Sequence, residues 1–144
     1  MIARIRPSRL TDGPTCEALV RENWGGDAAD RFCYQFYEAK HPRFFVAAEL
    51  DTERFMGFSA FEPTMLMRDY YHLIWLAVGE EFKGLGFGKS LTKVRLDAIR
   101  MRGGSMVSLV TQKTAYFARF GFRPIDPMDN GWTLMSLRLS EVRI

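Results

Sequence analysis

Between an apolar run, Tyr70 to Val78, and a long amphipathic stretch, Phe87 to Met101, the chain reads FKGLGFGKS. These residues, 82–90, place three glycines and two lysines within nine positions. The apolar run has the length of a central strand, far short of a membrane span. After the loop, Phe87, Leu91, Val94, Ala98 and Met101 recur at four- and three-residue steps, which predicts a helix with an apolar face. Lys89, Lys93, Arg95 and Arg100 are expected on its outer face. A strand, a glycine loop and a helix in that order restrict the fold sharply. The glycines let the main chain curl so that successive N–H groups converge at the helix N-terminus, where the helix dipole adds a positive end. Such a loop is built to receive a phosphate.

Two common phosphate loops fail on spacing. A P-loop needs a glycine, four residues, then Gly-Lys-Ser/Thr. Counting back from Gly88-Lys89-Ser90, the required glycine falls on Lys83. A dinucleotide fingerprint, GxGxxG, starting at Gly84 or at Gly86 needs a third glycine where Lys89 or Leu91 stands. What remains is Lys83-x-x-Gly86-x-Gly88 between a strand and a long helix.

Around this unit the sequence predicts a first strand over residues 2–6 and a helix opening at Thr11-Asp12-Gly13-Pro14. Trp24-Gly25-Gly26-Asp27 breaks that helix, and Asp27 is placed to cap a second one. On this second helix Ala29, Phe32, Cys33, Phe36 and Tyr37 form an apolar stripe that ends at His41-Pro42. Strands over 43–50 and 55–61, with Asp51-Thr52 as their turn, read as an antiparallel hairpin. Beyond Gly103-Gly104 come a strand over 106–110, a short helix over 114–120, a short strand over 122–125 and a final strand over 132–139. The expected class is α/β (α+β by some schemes): a mixed, mostly antiparallel sheet flanked by helices on both faces, with residues 1–144 as a single domain.

Bulk properties narrow the chemistry. The 144 residues carry a formal charge of +3 with no run of five like charges, so no nucleic-acid partner and no membrane partner is expected. Cys16 and Cys33 stand far apart on apolar stripes, which excludes a cysteine-based zinc site or disulfide framework; both are expected as buried small side chains, and no metal is expected. The first residues, MIARIRPSRL, lack a signal peptide's apolar segment, and a cytoplasmic location is expected.

Here the motifs meet a known pattern. Leu76-Ala77-Val78, then Gly79-Glu80-Glu81-Phe82, then Lys83-Gly84-Leu85-Gly86-Phe87-Gly88, resembles the acyl-CoA-binding core of the GNAT acetyltransferase superfamily. Ala115-Tyr116-Phe117-Ala118-Arg119-Phe120-Gly121-Phe122 resembles its A-x-Y-x-x-x-G-F segment, and Arg6-Pro7 with Thr11-Asp12 its N-terminal opening. The resemblance covers essentially the whole chain. It implies the GNAT fold and direct transfer of an acetyl or other short acyl group from acyl-CoA to an amine in a ternary complex. It also implies cofactor contacts by Leu76, Ala77, Val78, Lys83, Gly84, Leu85, Gly86, Phe87, Gly88 and Lys89. The co-substrate is acetyl-CoA or another acyl-CoA, and a homodimer is compatible with the family. Lys83 departs from the family's arginine or glutamine: the charge stays, the planar fork is lost.

An amine must be neutral to attack, and a thiolate leaves more readily with a proton donor. Backbone N–H groups near Leu76 to Val78 are expected to polarise the thioester carbonyl. Some relatives carry a glutamate at the position of His72, so His72 is the candidate base; the alternative is a strand histidine that only packs and hydrogen-bonds its neighbours. Tyr70, Tyr71 and His41 are lesser candidates. The family's acid tyrosine falls on Phe117, which has no proton to donate, and Tyr116 beside it is the candidate acid; the alternative for Tyr116 is packing with its hydroxyl at the surface. Phe32, Phe36, Tyr37 and residues 65–68 are candidate borders of the acceptor groove. Two other functions stay open: a non-catalytic acyl-CoA-binding or regulatory module, which Phe117 favours, and a nucleotide-phosphate binder of another class, against which the P-loop count speaks.

Overall fold

The structure, a computed structural model, describes residues 3–40, 42–50, 54–65 and 67–143. Its elements run β1 (Ala3–Pro7), α1 (Gly13–Trp24), α2 (Gly26–Cys33), β2 (Phe44–Leu50), β3 (Phe55–Pro63), β4 (Tyr70–Val78), α3 (Phe87–Met101), β5 (Met106–Thr111), α4 (Thr114–Ala118), β6 (Arg123–Pro127) and β7 (Thr133–Arg138). The strands form one mixed sheet in the order β1-β2-β3-β4-β5-β7-β6, with β4 and β5 parallel and antiparallel pairing for β1–β2, β2–β3, β5–β7 and β6–β7. The α/β class and the hairpin of β2 and β3 are as expected; His41 and the Asp51-Thr52 turn lie outside the described residues. Among the described residues no helix is long and apolar enough to cross a membrane.

Residue contacts divide the chain into two compact units, Met1–Phe61 with Trp75–Arg95, and Glu62–Ile74 with Leu96–Ile144. In the first unit, Cys16, Val20, Ala28, Ala29, Phe32, Phe58 and Ala77 make one apolar cluster. Val46, Ala48, Met56, Phe82 and Leu91 make another. Phe32 is fully buried and its ring meets those of Phe36, Phe45 and Phe58, with centroids 5.2, 5.8 and 5.3 Å away. Burial of a side chain that size stabilises by about 1.5–3 kcal/mol. In the second unit β5 lies against β7 with Val107 opposite Leu137 and Leu109 opposite Met135, all four buried.

The start of α1 is held differently from the capping that Thr11-Asp12 suggests. Asp12 makes no side-chain cap to α1. Its carboxylate takes the N–H of Arg9 at 2.7 Å and both terminal nitrogens of Arg6, at 2.8 and 2.9 Å. Arg6 also reaches Glu49 at 3.3 Å, and Glu49 pairs with Arg4, which stands opposite it on β1. Asp12 and Glu49 are both buried, so the arginines answer charges that would be costly alone.

Three side-chain placements depart from expectation. Arg95, expected on the outer face of α3, is 1% exposed, and donates to the carbonyls of Leu91 and Ala60 and to the Thr92 hydroxyl. Met101, expected on the apolar face, is 89% exposed, because the buried stripe runs through Leu91, Leu96 and Ile99. Cys16 is buried as expected, whereas Cys33 is only half-buried and donates its S–H to Glu17 Oε1 at 2.8 Å. Burial pushes Cys16 up to about 12, and burial with the Glu17 bond pushes Cys33 up to about 11, so both thiols are inert at neutral pH.

Candidate active site

The glycine loop lies within the first unit. At its approach Ala77 packs with Phe32 and Phe58, while Leu76 and Val78 pack with Met56, Phe82 and Leu91. Gly79 donates to the Met56 carbonyl at 2.8 Å. On β3 a Cβ at Gly57 would come within 2.5 Å of the Ala77 oxygen, so only glycine lets the two backbones lie this close. A turn over Glu80–Phe82 follows, and Phe82 seats itself in the core with its ring against Phe87. That anchor fixes where the loop begins.

Gly84 and Gly86 both take left-handed backbone angles, φ 79° and 89°. A Cβ at either position would meet no atom within 4 Å, so their need for glycine comes from the backbone angle, and the space beside them is open. Gly88 falls in the first turn of α3. Among the described residues no backbone carbonyl accepts from the N–H groups of residues 84–89, and the first helical bond runs from Ser90 to Gly86 at 3.1 Å. Lys83 lies 3.0 Å from Glu80 and donates to Asn23 at 3.3 Å; Lys89 is exposed. A row of unused donors at the positive end of a 15-residue helix, with two lysines beside it, can hold a diphosphate.

Just upstream, Trp75 has φ 47° in the middle of β4, a left-handed angle rare for a bulky residue and costing about 1–3 kcal/mol. It reverses the strand's alternation. Before it, odd-numbered Tyr71 borders Ile99 of α3 at Gly104; after it, even-numbered Leu76 and Val78 meet Leu91 of the same helix. The ring is held in place by an Nε1–H bond to Gln35 Oε1 at 2.7 Å and by the rings of Trp24 and Phe32, at 5.8 and 5.9 Å. A left-handed residue turns its peptide planes away from the regular ladder, so the strand is irregular just before the glycine loop. Nothing in the composition of the apolar run announces this; Trp75 reads as one more strand residue.

His72 and Tyr116 belong to the second unit. His72 is half-buried, and its Nδ1 lies 2.8 Å from the hydroxyl of Ser108, directly across the parallel ladder. Burial pushes the imidazole below its ordinary value, and the charge of Glu62 partly offsets this. Tyr116 is half-buried on α4, its ring 4.9 Å from Phe117 and 5.5 Å from Phe120, with the Arg119 guanidinium 5.6 Å from its centroid. Phe117 is buried against Phe120 and Phe122. Of the other candidates, Phe32 is core, Phe36 is half-buried, and Tyr37, Met65 and Met67 are exposed; Leu66 lies outside the described residues.

The Acetyltransferase (GNAT) family model matches residues 12–122. The N-acetyltransferase YhbS of Escherichia coli, itself of uncharacterized function, is 28% identical over 123 residues, covering 82% of this chain and 72% of YhbS. Its crystal structure with CoA superposes with a TM-score of 0.79 at 25% identity, covering 95% of this chain and 81% of that one. A structure described as a GNAT-family acetyltransferase from Desulfovibrio desulfuricans reaches a TM-score of 0.83 at 19% identity, covering 96% and 99%. An aminoglycoside 6′-N-acetyltransferase solved with CoA reaches 0.77 at 17% identity, covering 96% and 97%.

Proposed function

The chain belongs to the GNAT family of acetyltransferases, and from that premise we propose that it transfers an acetyl group directly from acetyl-CoA to an amine, with both substrates bound together. The observation that carries this reading is the pair of left-handed glycines, with open space beside them, leading into the free amides of α3. The CoA bound to YhbS, a quarter identical in sequence, supports the same occupant here. Residues 83–89 hold the diphosphate, Lys83 and Lys89 supply charge, and the backbone at 76–78 polarises the thioester carbonyl.

The acceptor nitrogen attacks that carbonyl, a C–N bond forms, and the C–S bond breaks to release CoA thiolate. The proton lost by the amine goes to His72, directly or through water; burial keeps this imidazole neutral at neutral pH and therefore able to accept it. The thiolate is protonated from the Tyr116 hydroxyl. Thermal melting in the presence of acetyl-CoA, CoA and ATP tests the binding half: the two CoA species raise the melting temperature and ATP does much less. Thiol release with a panel of amines tests the transfer half. No shift with CoA at about millimolar concentration would remove the diphosphate assignment. A CoA shift with no thiol release for any amine would leave a binding module.

A further inference from the structure

His72 does not stand alone on its strand. In the parallel ladder it is opposite Ser108 of β5, and Ser108 is in turn opposite Ser136 of β7. On the other side, the backbone N–H of Thr64, the residue after β3, donates to the Tyr70 carbonyl at 2.8 Å. Two residues further along each strand from that bond bring Glu62 opposite His72. Residues directly opposite one another share a face of the sheet, so Glu62, His72 and Ser108 form a carboxylate, imidazole and hydroxyl row across three neighbouring strands. The row lies wholly within the second unit. Nδ1 of His72 is 2.8 Å from Ser108 Oγ, and the charge acting on the ring is that of Glu62.

We propose that Glu62, His72 and Ser108 work as one proton-handling row, in which Ser108 fixes the histidine tautomer and Glu62 balances the charge the ring acquires. The proposal rests on the reading of His72 as the base. With Nδ1–H donating to Ser108 Oγ, the lone pair resides on Nε2, the nitrogen left to accept the amine's proton. The opposite arrangement, with the serine hydroxyl donating to Nδ1, would place hydrogen on Nε2 and remove the base. As the proton arrives the ring becomes imidazolium. The Ser108 bond persists unchanged, and the neighbouring carboxylate stabilises the positive charge in an environment where burial disfavours it. Ser108 and Glu62 are thus positioning residues: neither exchanges a proton with substrate.

The test combines nitrogen NMR of the histidine rings with pH–rate profiles in the full chain. The native protein is expected to show His72 with hydrogen on Nδ1. Glu62→Gln should move the His72 titration further down and shift the acid limb of kcat with it. Ser108→Ala should let the two tautomers mix and lower kcat about ten-fold with KM for acetyl-CoA unchanged, and Ser108→Thr, which keeps the hydroxyl, should restore both. An unchanged His72 titration in Glu62→Gln together with an unchanged tautomer in Ser108→Ala would overturn the row. Should Ser108→Ala fail to fold, hydrogen on Nε2 in the native protein would overturn it equally. Full activity in His72→Ala would remove the base assignment, and the row's catalytic role with it, while the titrations would still show whether the three groups are coupled.

Discussion

In the proposed reaction, the glycine loop and the Glu62–His72–Ser108 row would handle two halves of the chemistry with different parts of the polypeptide. The loop works through backbone: amides, left-handed angles and a helix end, all supplied by consecutive residues. The row works through side chains delivered by three neighbouring strands, β3, β4 and β5, from positions well separated along the chain. A backbone site is therefore intolerant of what the side chains do to φ and tolerant of their identity. A side-chain site is the reverse. Lys83 in place of the family's fork-shaped residue, and Phe117 in place of its tyrosine, illustrate both.

The difference is open to measurement. His72→Ala should lower kcat/KM by about 10² to 10⁴ and abolish the acid limb of the pH profile. In the native protein that limb should lie below the ordinary histidine value of 6.5, since burial lowers it, with the rate flat above. A native profile still rising above about pH 8 would assign the proton to another group. Gly86→Val should weaken CoA about a hundred-fold by calorimetry, because a β-branched residue resists the left-handed angle, while the fold survives a strain of roughly 1–2 kcal/mol. Retained affinity would seat the diphosphate elsewhere.

Smaller effects separate the two aromatic neighbours on α4. Phe117→Tyr restores the family's residue but places a hydroxyl among Phe120 and Phe122, so it should cost about 1–3 kcal/mol in urea denaturation without raising the rate. A faster enzyme would mean that the hydroxyl reaches the leaving thiolate after all. Tyr116→Phe should lower kcat about three- to ten-fold and leave CoA affinity as it was, since the proton matters only as sulfur departs. Equal losses in kcat and affinity would make Tyr116 a packing residue.

What the sequence disclosed follows the same division. The Tyr70–Val78 strand, the loop and the Phe87–Met101 helix are legible because each is a local pattern: an apolar run, glycines, a periodic stripe. Arg95 was misplaced because periodicity treats arginine as a surface residue, whereas here the guanidinium finds carbonyls and a hydroxyl under β3. Trp75 was invisible as a bend since only tertiary contacts, to Gln35, Trp24 and Phe32, make its angle tolerable. Glu62 and Ser108 lie ten and 36 residues from His72, and only strand pairing makes them neighbours.

The Arg6 bridge between Asp12 and Glu49 sets the acid limit within which this enzyme can be interrogated. The Arg6 hydrogen bonds hold Asp12 below its ordinary 3.8, and the Arg4 and Arg6 bonds hold Glu49 below its ordinary 4.5. Their contribution to folding is therefore complete above those ordinary values and is lost as pH falls through the lowered ones. His72 has the same sign for the opposite reason: its unfolded form binds a proton more readily, so stability begins to decline as pH drops below 6.5. Acid therefore weakens the fold through both the buried imidazole and the clamp on β1 and β2. A chemist following the proton must therefore read every acid-side rate beside a measure of the folded fraction.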